Sequence, residues 1–111
     1  MTWYTVYAIE LSNDAHLGPK SDTTKPYIYV GITSQTPEGR FATHKAGGPT
    51  ASDIVRRHGL RLRPDLTSGC KKANGRTRAV ALEQEVAADL RAKGYIVDAG
   101  QPGMGWDRFR R

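Results

Sequence analysis

The chain has 111 residues, with 17 Lys and Arg against 11 Asp and Glu, a formal charge of +6 and a pI near 9.8. Such a length fits one domain with one core, which buries roughly 65% of the surface its unfolded form exposes and folds without covalent staples. A single cysteine, Cys70, excludes an internal disulfide, and the absence of a leader-like start or a span-length apolar run excludes a membrane partner and predicts a cytoplasmic protein.

Residues 3–11 and 27–33 are rich in aromatic and β-branched side chains and predict two strands that pair with each other. Ser12 to Pro26 between them is polar and broken by Gly18-Pro19 and Lys25-Pro26, which predicts an elongated hairpin loop. Thr36 is an N-cap before Pro37, so a helix runs from there to about Lys45 and stops at Gly47-Gly48-Pro49. Arg40 and His44 then share a face, with Phe41 as the core anchor. A short helix is predicted from Ser52 to His58, with Ser52 as its cap and Gly59 just past its end. In Leu60-Arg61-Leu62-Arg63 the alternation predicts a third strand, leucines on the core face and arginines outward, closed by Leu66. Ser68 to Arg76 reads as a loop. Thr77 opens the longest helix, whose apolar set is Ala79, Val80, Leu82, Val86, Ala87 and Leu90, and Gly94 ends it. Tyr95-Ile96-Val97 predicts a short last strand, so the domain covers 1–97, and 98–111 is a tail that docks through Trp106 and Phe109 or stays loose.

The charge is uneven. Between Arg56 and Arg78 the only acid is Asp65, whereas the chain before Gly31 is slightly negative. A basic middle of this kind suits a polyanion, and Arg56, Arg57, Arg61, Arg63, Lys71, Lys72 and Arg76 are the candidate nucleic-acid contacts. The plain alternative is a solvated basic face with no partner.

Residues 79, 83, 86, 87 and 90 fall on one helical stripe, which sets Glu83 among apolar neighbours while Glu85 and Asp89 face away. A carboxylate there needs a cation or a metal, unless it lies at the stripe's edge and reaches water or pairs with Arg40. Tyr7 and Tyr29 are packing tyrosines taken singly, but on adjacent strands their hydroxyls converge. Tyr4 and Tyr27 offer competing pairings, because Tyr27 and Tyr29 share strand parity. Arg40 and His44 are either an exposed i,i+4 pair or a guanidinium and imidazole suited to a phosphate. Cys70 has no histidine at zinc-ligand spacing.

Taken in order, Thr5-Val6-Tyr7, Tyr29-Val30-Gly31, Arg40, His44 and Ala81-Leu82-Glu83 resemble the successive motifs of the GIY-YIG nucleases over residues 3 to about 95. The resemblance implies an α+β fold with a three-stranded antiparallel sheet flanked by helices. It implies a metal-dependent endonuclease acting on DNA, favoured over RNA, with one Mg2+ or Mn2+ held by Glu83. Tyr7 would accept a proton from the attacking water, Arg40 would stabilise the pentavalent phosphate, and His44 and Tyr29 would tune or orient Tyr7 and the water. The chain departs from the family in three places. Thr5 replaces the first glycine, the loop between the tyrosine strands is longer, and the asparagine after the metal helix is absent, with Gln101 the nearest amide. The alternatives are a binding module on the same fold that no longer cuts and, less favoured, a toxin or effector nuclease or a piece of a larger enzyme.

Overall fold

A computed structural model describes residues 2–20, 22–47, 51–67 and 72–99. Strands β1 (Trp3–Leu11) and β2 (Tyr27–Thr33) pair antiparallel in the register Tyr7 opposite Gly31 and Ile9 opposite Tyr29. Both have the predicted bounds, because aromatic and β-branched side chains suit a sheet whose two faces are covered. The connecting loop contains one short 3₁₀ turn, Asn13–Ala15. Helix α1 (Pro37–Ala46) starts where Thr36 Oγ accepts the Gly39 N–H, and it stops at Gly47, whose φ of 81° is one that glycine adopts without strain. Helix α2 (Asp53–His58) is capped by the Ser52 hydroxyl. Lys45 Nζ donates to the carbonyls of Arg56 and Gly59, which ties α1 to the end of α2.

Strand β3 (Gly59–Leu62) pairs antiparallel with the end of β1. Its expected face pattern is not kept: Leu60 is 49% exposed. A register shift between Glu10 and Leu11 turns this strand relative to β1, and an alternating sequence carries no sign of that bulge. The segment from Ser68 to Arg76 is not simply a loop either. Lys72–Asn74 forms β4, antiparallel to Trp3–Thr5 on the same edge of β1, and Arg76 already opens helix α3 (Arg76–Ala92) behind Gly75. Strand β5 (Ile96–Asp98) pairs parallel with Tyr27–Tyr29.

Among the described residues the fold is therefore α+β with three helices, but the sheet is mixed and has five strands, in the order β3-β1-β2-β5 with β4 also on β1. It is larger than the expected three-stranded antiparallel sheet because β4 and β5 add a pairing at each edge. The last strand agrees with the expected one at 95–97, shifted by one residue, whereas Lys72–Asn74 carries too little apolar alternation to announce itself. One sheet face, Val6, Ala8, Ile28, Val30 and Ile32, packs on Ala79, Val86, Ala87 and Leu90 of α3. The other, Tyr7, Ile9, Leu11, Tyr27 and Tyr29, packs on Val55 of α2, with Phe41 and Ile54 half-buried beside it. Among the described residues no helix is long and apolar enough to cross a membrane. Cys70, Gln101, Trp106 and Phe109 lie outside the described residues.

Candidate active site

Alternation along β1 and β2, with Tyr7 opposite Gly31 and Tyr29 opposite Ile9, makes the two tyrosines diagonal neighbours on one face. Their ring centroids are 6.3 Å apart. Gly31 makes this possible, since a Cβ there would lie 2.7 Å from Tyr7 Oη, 2.8 Å from its Cζ and 3.0 Å from Tyr29 Cε2. Tyr27 is engaged elsewhere: its hydroxyl donates to the Gly18 carbonyl at 2.5 Å and the Lys20 ammonium lies 4.3 Å above its ring. Of the two tyrosines with the same parity, Tyr29 is the one beside Tyr7.

Helix α1 brings His44 onto this pair. The imidazole is completely buried, with its centroid 6.3 Å from the Tyr7 ring and 5.7 Å from the Tyr29 ring. His44 Nε2 is 2.9 Å from Tyr7 Oη, and the backbone N–H of Ser52 donates to His44 Nδ1 at 2.8 Å. A backbone amide can only donate, so Nδ1 must accept and the proton of the neutral ring sits on Nε2. His44 therefore donates to the Tyr7 oxygen. Burial, helped by the nearby Arg40 charge, lowers the imidazole pKa to about 4, which keeps the ring neutral near pH 7.

Arg40, one turn before His44 on α1, acts on the Tyr7 phenol by both charge and hydrogen bonding. Burial raises the Tyr7 pKa to about 12. The Arg40 charge and hydrogen bond oppose that rise, the Glu83 charge adds to it and the Tyr29 hydroxyl opposes it. Tyr29 is pushed up further, by burial first and then by the charges of Tyr7, Asp98 and Glu83, with Arg40 only a small counterweight. The two phenols are thus unequal, and Tyr7 is the one that ionises more readily.

Glu83 is wholly buried on the α3 stripe, as its spacing with Ala79, Val86, Ala87 and Leu90 predicts. Its Oε1 accepts from Gln84 Nε2 at 3.3 Å, and its charge reaches both phenols. Tyr7, Tyr29, Arg40, His44 and Glu83 are therefore brought together. A sixth residue went unforeseen. Asp98 stands directly beside Tyr29 in the parallel β2–β5 register and acts on it electrostatically. The only hint was the strand reading of residues 95–97, which needed one more residue. The Ser52 amide was also missed, because backbone donors leave no mark on side-chain motifs.

Among the described residues no three His, Cys, Asp or Glu side chains cluster as a ligand set. Glu83 is a buried carboxylate, a donor type that a magnesium-like ion takes singly or in pairs while keeping several waters.

The candidate nucleic-acid contacts do not form one free basic surface. Asp53 meets Arg56 at 2.5 Å and Arg57 at 3.2 Å. Glu10, opposite Arg61 across the sheet, meets Arg61 at 2.7 Å and Arg63 at 2.8 Å, and Asp65 meets Arg63 at 2.9 Å. Lys72 and Arg76 sit apart from these, at β4 and the start of α3, and Lys71 lies outside the described residues. Set against models of protein families, curated proteins and solved structures, the chain matches none of them.

Proposed function

We propose that this chain is a metal-dependent endonuclease of the GIY-YIG type, hydrolysing phosphodiester bonds in DNA, favoured over RNA. The observation that supports it is the surroundings of Tyr7: a phenol that takes a hydrogen bond from neutral His44, lies beside the Arg40 guanidinium and the Tyr29 hydroxyl, and senses the buried Glu83 carboxylate. Tyr7 as phenolate takes a proton from the attacking water, whose oxygen forms the new P–O bond as the bond to the leaving sugar oxygen breaks. The leaving oxygen then gains a proton from solvent. Arg40 offers a planar pair of donors to the phosphate oxygens as negative charge builds there. His44 steadies the phenolate as a donor and does not withdraw the Tyr7 proton, because its acceptor nitrogen is taken by Ser52. Tyr29 stays a phenol and donates. Glu83 would hold one Mg2+ or Mn2+ ion. When bound, that ion supplies positive charge, which favours phenolate over phenol and offsets the charge of the phosphate.

The second reading is a nucleic-acid-binding module that does not cut. It is favoured by the burial of Tyr7, which raises its pKa to about 12 and so favours the phenol over the phenolate at neutral pH. Plasmid DNA and RNA incubated with Mg2+ or Mn2+ decide between them. Cleavage by the wild type, reduced about 100-fold or more in Arg40→Ala and Glu83→Gln, is the expected result. Nicking that survives both substitutions would remove the site assignment, and binding of intact substrate under every metal would leave the second reading.

A further inference from the structure

Trp3, at the start of β1, is 59% exposed, and it and Leu60 are the exposed large hydrophobic side chains of the described residues. It borders an open groove of about 420 Å³ between β1, β4 and α3, with Lys72, Asn74, Arg78, Leu82 and Glu85. Directly opposite Trp3 in the β1–β4 register stands Asn74, whose Oδ1 is buried with no hydrogen-bond partner among the described residues. A buried acceptor left in this state is costly, so this amide gains if it meets an N–H donor. Among the described residues Lys72 and Arg78 form no ion pair, unlike the arginines of α2 and β3. The groove thus combines an indole face, an amide, a carboxylate and two cations that form no ion pair among the described residues.

We propose that this groove is a subsite for one unpaired nucleobase, stacked on Trp3, with its amino edge toward Asn74 and Glu85 and its phosphates toward Lys72 and Arg78. Aromatic faces accept any base, cations track the backbone, and carboxamide and carboxylate oxygens suit amino protons on a base edge. A duplex does not offer its bases in this way. Charge complementarity selects a polyanionic strand over an apolar peptide, and the lone buried acceptor selects a ligand with polar hydrogens. Trp3 precedes Tyr7 by four residues on the same strand, about 13 Å at the usual rise, which separates the subsite from the phenol along β1. The inference rests on the nucleic-acid reading above and deepens it. It makes the preferred substrate one that offers an unpaired nucleotide.

The test uses the full chain with Trp106→Phe, which leaves Trp3 the only tryptophan, in chelator so that nothing is cut. Trp3 emission is titrated with a short single-stranded oligonucleotide, the same strand with abasic positions, and the duplex. Quenching by the base-bearing strand alone is expected. In this background Trp3→Ala should weaken single-strand binding roughly 5- to 150-fold, measured by anisotropy, while Trp3→Phe keeps most of the affinity. Equal binding by Trp3→Ala, quenching by the abasic strand, or emission that follows protein concentration and ignores the oligonucleotide overturns the subsite. The last outcome would seat a second copy on the groove. Trp3 already shielded in the free chain and unmoved by nucleic acid would seat residues 100–111 there and equally overturn it. Plasmid cleavage is scored separately: cutting that needs Arg40 without a Trp3 effect removes the subsite alone, and stacking without any cutting removes the catalytic reading alone.

Discussion

Gly31 sets how closely the Tyr7 phenol can lie against β2. An added Cβ would meet the hydroxyl and its ring carbon, both part of a rigid buried group, so either the ring or the strand must move. Gly31→Ala is expected to cost about 1–3 kcal/mol as overpacking and to break the Tyr7–His44 hydrogen bond. Denaturant melts and cleavage rates check this together, and a variant that matches wild type in both would mean the phenol is not held as described. His44 makes a second prediction, with a definite sign. Its folded pKa of about 4 lies below the ordinary 6.5, so between these values the unfolded chain binds the proton that the buried ring refuses. The stabilisation is complete above about pH 6.5 and is lost as pH falls toward 4, on the order of 3 kcal/mol across the window. His44→Gln should flatten that part of the stability profile. An equally steep acid limb in the variant would show that other groups cause it.

At the level of elements, α2 matters more for its start than for its length. The Ser52 hydroxyl caps the helix and the Ser52 amide fixes the His44 tautomer, so the two roles can be separated. Ser52→Ala should cost about 1 kcal/mol and leave the proton on Nε2. Ser52→Pro, compatible with the local φ of −76°, also deletes the amide donor and frees Nδ1 to carry the proton. Ring-nitrogen NMR of His44 reads the tautomer directly, and an unchanged pattern in the proline variant would refute the assignment. The same elements show what a sequence can and cannot reveal. Strands β1 and β2 and the caps Thr36 and Ser52 were legible, because β-branched runs and capping residues act locally. Glu83 was legible because helical periodicity exposes a misplaced charge. Strand β4, Lys72–Asn74, was hidden: it is a strand because β1 offers a ladder, not because its residues prefer one. The Leu60 face was misread for the same reason, since the bulge that turns it lies on another strand. The choice of Tyr29 over Tyr27 was legible in the Tyr29-Val30-Gly31 spacing, since Gly31 makes the room for the Tyr7 phenol, while the Gly18 carbonyl that engages Tyr27 left no sequence mark.

Across the whole molecule, a charge of +6 exaggerates what a polyanion meets on α2 and β3. Arg56, Arg57, Arg61 and Arg63 are each within ion-pair distance of Asp53, Glu10 or Asp65, acids contributed partly from outside the basic run. An exposed pair is worth only about 0–1 kcal/mol, so a phosphate can compete for Arg57 and Arg61, yet each such exchange strands a carboxylate near the incoming strand. Arg63, half-buried between two carboxylates and held protonated by Asp65 first and Glu10 next, is the least able to exchange. Removing an acid should therefore help binding more than removing an arginine hurts it. Asp53→Asn releases Arg56 and Arg57, and its nucleic-acid affinity should rise while the slope of log K against log salt steepens by roughly 0.7–0.9 for each phosphate newly neutralised. Arg56→Ala should change that slope little, whereas Lys72→Ala and Arg78→Ala should each make it shallower by about one such step. Filter binding across a salt series measures all four variants on one substrate. Should Asp53→Asn and wild type give the same slope while Arg56→Ala loses a full step, the arginines of α2 meet phosphate despite their partners, and the charge is shared more evenly than this partition holds.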